Sequence, residues 1–445
     1  MAKFFKKRKR LTPFQIIILG FAGVILTGAL LLMLPISSQS GQVTPFNQAL
    51  FTATSAVCVT GLVVQDTATY WSVFGQSLIL LMIQIGGLGV VTVAASFAML
   101  SGRKISLMQR NTIQEAVSAH KVGGVVRLTG FILKITFAIE LAGALALMPV
   151  FCRDFGFKGI WMSFFHSISA FCNAGFDLMG TPEGKFASLT AYSASPLLNI
   201  VIMLLILFGG LGFLTWDDVF VHKWRLKKYR LQSKVILLMT AILVVVPAVI
   251  FFFADFADVG ISERILNSLF QAVTPRTAGF NTVDFNAMTG AGRGIIIILM
   301  LIGGAPGSTA GGMKTTTIAV LVANAVSIFR RKESPEMFGR RLSVEVVRSV
   351  ATIFFMYISM FLGGAIAISL IEELPMSTCL FETGSAVATV GLTLGVTPQL
   401  SVASQCILIV LMFFGRVGGL TLIYAAMSGV NKNHSKLPEE RITVG

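Results

Sequence analysis

The sequence predicts an all-α membrane protein built from four pseudo-repeated helix/pore half-helix/helix units, with eight transmembrane helices around a central pore. Three observations predict it. Only 12% of residues are charged and 55% are hydrophobic, with a mean hydropathy of +0.82, whereas soluble domains carry about 25% charge. Eight apolar runs lie near 14–35, 72–100, 128–150, 196–215, 235–254, 294–328, 349–371 and 405–428, each long enough to cross a ~30 Å hydrocarbon core. Four short stretches also end alike: Val59-Thr60-Gly61-Leu62, Asn173-Ala174-Gly175-Phe176, Thr277-Ala278-Gly279-Phe280 and Thr389-Val390-Gly391-Leu392. Four such glycines, each after a short apolar segment between two long ones, are what one chain needs to build a four-sided ring of backbone carbonyls.

The first element follows Lys6-Lys7-Arg8-Lys9-Arg10. A basic start before an apolar run also describes a signal peptide, but this run continues for about 20 residues, beyond a signal's usual apolar length, and is read as a span. Eight spans put alternate connections on opposite sides. Residues 1–13, 101–127, 217–234, 329–348 and the tail after Gly429 carry 26 Lys and Arg against 8 acids, and the other side carries 6 against 11. The basic side is expected to be cytoplasmic, with both termini inside a plasma membrane, and the acidic outer face modestly favours cations. This accounts for the formal charge of +15 without nucleic acid, which is not expected as a partner. Cys58, Cys152, Cys172, Cys379 and Cys406 form no CxxC or metal-ligand spacing. With no Ser/His/Asp grouping either, the chain is not expected to be an enzyme.

The four glycines are 114, 104 and 112 residues apart, which divides the chain into units at 1–101, 102–221, 222–331 and 332–430, with 431–445 as a cytoplasmic tail. The short apolar segments near 46–57, 160–171, 263–273 and 377–387 cover only ~17 Å at 1.5 Å per residue, too little to span. They are expected to be re-entrant half-helices whose C-terminal dipole ends favour a cation at a common centre. Ser-Ala precedes three of the loops, at Ser55, Ser169 and Ser385, whereas the third loop is led by Val273-Thr274-Pro275-Arg276. Non-helical backbone at membrane depth needs protein or water around it, so the loops must line something wet. Glycine there takes positive φ and lets a carbonyl approach an ion without a Cβ in the way. Close helix packing explains single glycines, but not four at matching positions.

Each second span carries a further glycine group: 86–89, 209–212, 303–307 and 415–419. For the first, second and fourth, close packing behind the pore is the expected role. The third is different, because Gly303, Gly304, Ala305, Pro306, Gly307, Ser308, Thr309, Ala310, Gly311 and Gly312 run unbroken into Met313 and Lys314. That glycine density, with a helix-interior proline costing about 3 kcal/mol, breaks the sixth span in mid-membrane. The stretch also looks like a Walker A loop, but Met313 separates Gly312 from Lys314 and no strand precedes it.

With these features the chain resembles the Trk/Ktr/HKT superfamily of potassium transporters, most closely its bacterial Ktr-type membrane subunit. The resemblance covers nearly the whole chain and is carried by the four units, Thr-Ala-Gly-Phe in the third loop, the broken sixth span and Arg416. It implies that Gly61, Gly175, Gly279 and Gly391 are the glycines of a selectivity filter for K⁺, the transported ion, with no organic cofactor on this chain. It also implies that 303–314 is an intramembrane gate under the filter, with Arg416 as the basic residue of the last pore-lining span. A homodimer with one pore per chain and a separate cytosolic ring of nucleotide-binding regulatory subunits (KtrA-like RCK subunits) follow from the same resemblance. Only Thr389-Val390-Gly391 reproduces the core of the potassium-channel signature, so fewer complete carbonyl rings and a less strict selectivity are expected.

The expected mechanism is passive, gated K⁺ uptake driven by an inward-negative potential worth about 2.3 kcal/mol per charge per 100 mV. A Na⁺- or H⁺-coupled symporter is the alternative, disfavoured because Glu140 is the one clear acid in the spans and the repeat is fourfold. Lys314, at ~6 Å from a passing ion and an effective dielectric of 20, would oppose it by roughly 3 kcal/mol; snorkelling to the inner interface is its other reading. Arg416 is either a second barrier or a brace for the broken span. Lys134 and Glu140 are assigned snorkelling and helix-bracing roles.

Overall fold

The computed structural model describes residues 12–100, 106–116, 124–419, 421 and 440, and one motif recurs in it four times. Each unit opens with a long apolar helix: Pro13–Leu32, Val125–Phe155, Leu231–Ala254 and Val344–Glu372. The first begins at a capping box in which Thr12 and Gln15 satisfy each other's free amides. In these four helices only 28–39% of the most apolar stretch is buried. The remainder is the lipid-facing wall, which a continuous helix can present because its backbone polar groups are satisfied internally.

The half-helices follow at Phe46–Cys58, Lys158–Phe171, Ile261–Val273 and Met376–Val387, within two residues of the expected positions. They are buried almost throughout their last two turns, on polar as well as apolar faces. Each packs on the long helix before it and on the helix after it. The helix after the fourth half-helix, Val402–Val417, also packs on the first half-helix, and Val73–Leu88 packs on the second, Pro196–Gly210 on the third and Gly290–Leu301 on the fourth. This cyclic order closes the units into a ring whose centre is lined by the loops that follow the half-helices.

The second spans differ from the expectation that only the sixth would break. Val73–Leu88 turns by 94° into Val90–Leu100, and Pro196–Gly210 turns by 97° into Phe213–His222. The third is split into Gly290–Leu301 and Thr315–Phe329, and Val402–Val417 stops at Gly418. The turning points Gly89, Gly212 and Gly418 have φ of 85°, 86° and 88°, a conformation that ends a helix and that an L side chain resists. The other glycines of these groups do pack as expected. A Cβ on Gly86, Gly209 or Gly415 would collide with the carbonyl of Val57, Phe171 or Val387, each four residues before a loop glycine.

Two connections carry structure that the sequence reading treated as plain loop. A helix, Leu107–Ala116, lies within 101–127, and an antiparallel hairpin pairs Glu336–Met337 with Arg340–Arg341. The basic start Lys6 to Arg10 and nearly all of the tail 431–445 lie outside the described residues.

Candidate functional site

The ends of the half-helices explain how the loops are aimed. In units one, two and four the chain leaves through a left-handed residue, Val59, Asn173 or Thr389, at φ 57°, 59° and 53°. The amide of that residue and the next bond back to the helix, as in Val59 N to Ala56 O at 3.1 Å and Thr60 N to Ser55 O at 2.8 Å. This is a Schellman-type stop without its usual glycine. Unit three, with Pro275 and Arg276 inserted, adds another turn and then reaches the same point, Thr277 at φ 67°. Two residues on, Gly61, Gly175, Gly279 and Gly391 also take positive φ, of 96°, 68°, 80° and 96°. Left-handed conformations cost about 1–2 kcal/mol for β-branched residues such as Val59, Thr277 and Thr389, so complete burial must hold them there.

The four loops meet in a closed cycle. A Cβ on Gly61 would lie 2.5 Å from the Ala174 carbonyl oxygen, on Gly175 2.8 Å from that of Ala278, and on Gly279 2.6 Å from that of Val390. Gly391 closes the cycle against the Thr60 carbonyl. Each glycine therefore abuts the carbonyl just before the next unit's glycine, and both its φ and its close approach exclude a side chain.

Side-chain hydroxyls fasten the loops to their half-helices. Ser55 and Ser385 accept the amides of Gly61 and Gly391 at 3.0 Å. Ser169 and Thr274 instead donate to the carbonyls of Phe176 and Phe280. Those two carbonyls are thereby tied back to their own half-helices. Within the cycle, the buried hydroxyls of Thr60, Thr277 and Thr389 have no protein partner, leaving oxygen available to water or a cation.

Above the glycines is a small vestibule of about 80 Å³ lined by all four of them and by Asp66, Asp177, Asn281 and Thr393. Asp66 accepts from the Thr69 and Phe186 amides at 2.9 Å, tying unit one to the outer loop of unit two. Asp177 accepts from the Met179 amide at 2.9 Å. Desolvation, with the Asp66 charge adding to it, pushes the Asp177 carboxyl up to about 7.

Below the ring, the loop 303–314 is held by backbone bonds to two other units. Ala305 N and Thr309 N donate to Gly210 O and Gly209 O at 3.0 and 3.2 Å, and Gly312 N to Gly415 O at 3.1 Å. The Thr309 hydroxyl reaches Phe171 O at 3.0 Å, and Gly311 and Gly312 lie against Thr389 and Ala388. Arg416 donates to the carbonyls of Thr309, Gly86 and Gly87, which is the geometry of a brace. Lys314 folds back onto its own loop, donating to Ala310 O at 2.8 Å and Gly311 O at 3.3 Å, and does not reach for the inner interface. A cavity of about 300 Å³ beneath them is lined by Gly307, Lys314, Tyr357 and Arg416.

The sequence-derived residues of the ring and of the loop below it are thus neighbours on one axis. Glu140 sits behind the second half-helix, accepting from Gln84 Nε2 at 3.3 Å and facing Cys172 Sγ at 3.8 Å, whereas Lys134 is exposed. Sequence reasoning missed Asp66, Asp177, Glu382 and His166. A carboxylate and a histidine inside short apolar helices were the available signal.

A chain whose lipid-facing helices surround four re-entrant loops in a closed ring has the architecture of a membrane ion-transport protein. The family described as TrkH, cation transport protein, matches residues 4–435, and the chain belongs to that family, which transports ions and is not a family of enzymes. It is 41% identical over 450 residues to the potassium/sodium uptake protein NtpJ of Enterococcus hirae, covering 98% of each chain. It is 38% identical to the Ktr system potassium uptake protein B of Bacillus subtilis, covering 98% of this chain and 97% of that one. The crystal structure of the potassium transporter TrkH from Vibrio parahaemolyticus matches with a TM-score of 0.74 at 19% identity, over 95% of this chain and 86% of that one, and shares its fold.

Proposed function

We propose that this chain takes up K⁺ through the ring of its four glycine loops, with loop carbonyls at 59–61, 173–175, 277–279 and 389–391 replacing the ion's hydration shell. The closed cycle of glycines against neighbouring carbonyls is the observation that carries this reading. The half-helix C-termini and the vestibule acids favour a cation on its approach. The names of the relatives, which take up potassium or potassium and sodium, support the choice of ion. The loop 303–314 and Arg416 serve as the gate. Both termini face the cytoplasm of the plasma membrane, where the basic connections receive a cytosolic nucleotide-binding ring, and two copies form a homodimer. The word "system" in the names of the Bacillus relatives supports a partner subunit.

The test is tracer K⁺ flux into liposomes holding the purified chain, under separately imposed gradients of voltage, Na⁺ and H⁺, with and without a soluble partner. Flux that follows the K⁺ electrochemical gradient alone is expected. Uphill K⁺ movement driven by a Na⁺ or H⁺ gradient would replace this mechanism with coupled symport.

A further inference from the structure

Nine residues before the glycines stand Thr52, His166, Phe270 and Glu382, all fully or almost fully buried. Three residues after the glycines stand Val64, Leu178, Thr282 and Leu394. In units two and four these two registers are joined by the same bond. His166 Nε2 accepts the Leu178 amide at 3.3 Å, and Glu382 Oε1 accepts the Leu394 amide at 2.9 Å. The imidazole is fixed for this role because its Nδ1 faces the Met162 carbonyl at 2.8 Å. A carbonyl only accepts, so the proton sits on Nδ1 and Nε2 presents its lone pair. The Glu382 carboxylate is more fully engaged, taking the Thr393 hydroxyl at 2.7 Å and the Thr397 hydroxyl at 2.6 Å as well.

Units one and three lack this bond. The Thr52 hydroxyl has no partner, and Phe270 has no acceptor to offer. Unit three holds its outer limb differently, through the Thr282 side chain between Gln271 Nε2 at 3.1 Å and Asn267 Oδ1 at 3.2 Å. In the ring, Gly175 and Gly391 each adjoin Gly61 and Gly279, so the two braced units face each other across the axis.

We infer that His166 and Glu382 are positioning residues that pin the outer limbs of two opposite glycine loops to their half-helices, and so set the K⁺ over Na⁺ preference of the ring. This rests on the ring being the ion path. The reasoning is geometric: a carbonyl cage can select by size when its oxygens are held from following the smaller ion inward. Ser385 holds the amide of Gly391 itself, and Ser169 holds the carbonyl of Phe176, one residue past Gly175. The His166 and Glu382 bonds add a second fastening further along each limb, at Leu178 and Leu394, without which the chain beyond the first is free to yield. A buried acceptor satisfying an otherwise lone amide is a strong, directional fastening.

The experiment measures K⁺ over Na⁺ selectivity in proteoliposomes, together with hydrogen exchange of the peptide spanning 389–397. Glu382→Ala and His166→Phe are expected to lower selectivity roughly fivefold or more, with faster exchange at 392–397 in the former. Glu382→Gln and His166→Gln, which restore an acceptor oxygen, should return selectivity to within about twofold of the parent. Thr52→Val, in the same register with an unpartnered hydroxyl, should leave it unchanged. If Glu382→Ala does not fold, Thr393→Val and Thr397→Val loosen the same carboxylate without emptying the site and are expected to give a partial loss. The inference is overturned if folded Glu382 and His166 variants keep parental selectivity while Gly279→Ser lowers it. If Gly279→Ser changes nothing either, it is the assignment of the ion path that fails.

Discussion

At Gly279, a β-carbon has nowhere to go: φ is 80° and the Val390 carbonyl lies 2.6 Å from where that atom would sit. Gly279→Ser is therefore expected to displace a neighbouring oxygen and lower K⁺ over Na⁺ preference by about tenfold, equivalent to roughly 1.4 kcal/mol, in liposome flux measurements. Asp177 makes a different prediction. Its carboxyl, raised to about 7, is charged above that pH and neutral below it. Falling pH then removes an attraction worth about 1 kcal/mol at 4 Å in water. The external K⁺ concentration for half-maximal flux should rise roughly fivefold from pH 8 to pH 6, and Asp177→Asn should hold it at the high value throughout. The ring glycines were legible because glycine is the residue for positive φ. Their left-handed neighbours Val59, Thr277 and Thr389 were not, since β-branched residues disfavour that conformation and only the surrounding packing imposes it.

The broken sixth span is the element most directly written in the composition, as ten residues from Gly303 include five glycines and a proline. Its tertiary role is less direct. The loop bonds to itself, through Gly303 N to Met313 O and Lys314 Nζ to Ala310 O, and its position is set by Gly209, Gly210, Gly415 and Arg416, residues remote in sequence. Deleting 308–311 removes the Thr309 and Lys314 contacts at once. K⁺ flux is expected to rise severalfold even without a cytosolic partner, and an unchanged flux in the deletion would argue against gating. The half-helices were placed within two residues because a 12- to 14-residue apolar helix is too short to span. The bends at Gly89 and Gly212 were not anticipated. A glycine group inside an apolar run reads equally as a packing face or as a stop, and only the backbone conformation separates the two.

At the scale of the whole molecule, the charge distribution predicts an orientation. Cysteines introduced at Lys185 and Arg340 in a cysteine-free background should react with a membrane-impermeant maleimide from opposite sides in intact cells, Lys185 from outside. Labelling of both from one side would break the eight-span arrangement, and labelling of Arg340 alone from outside would reverse it. The sequence by itself determined the membrane setting, the fourfold repeat, the half-helices and the glycines, because hydropathy, segment length and glycine placement are local quantities that no distant contact can alter. Only the tertiary structure decided that the four loops close on one another, that Arg416 binds carbonyls of two other units, and that His166 and Glu382 hold opposite sides of the ring. Those contacts join residues from different units or across a loop, and they exist only once the helices have packed in cyclic order.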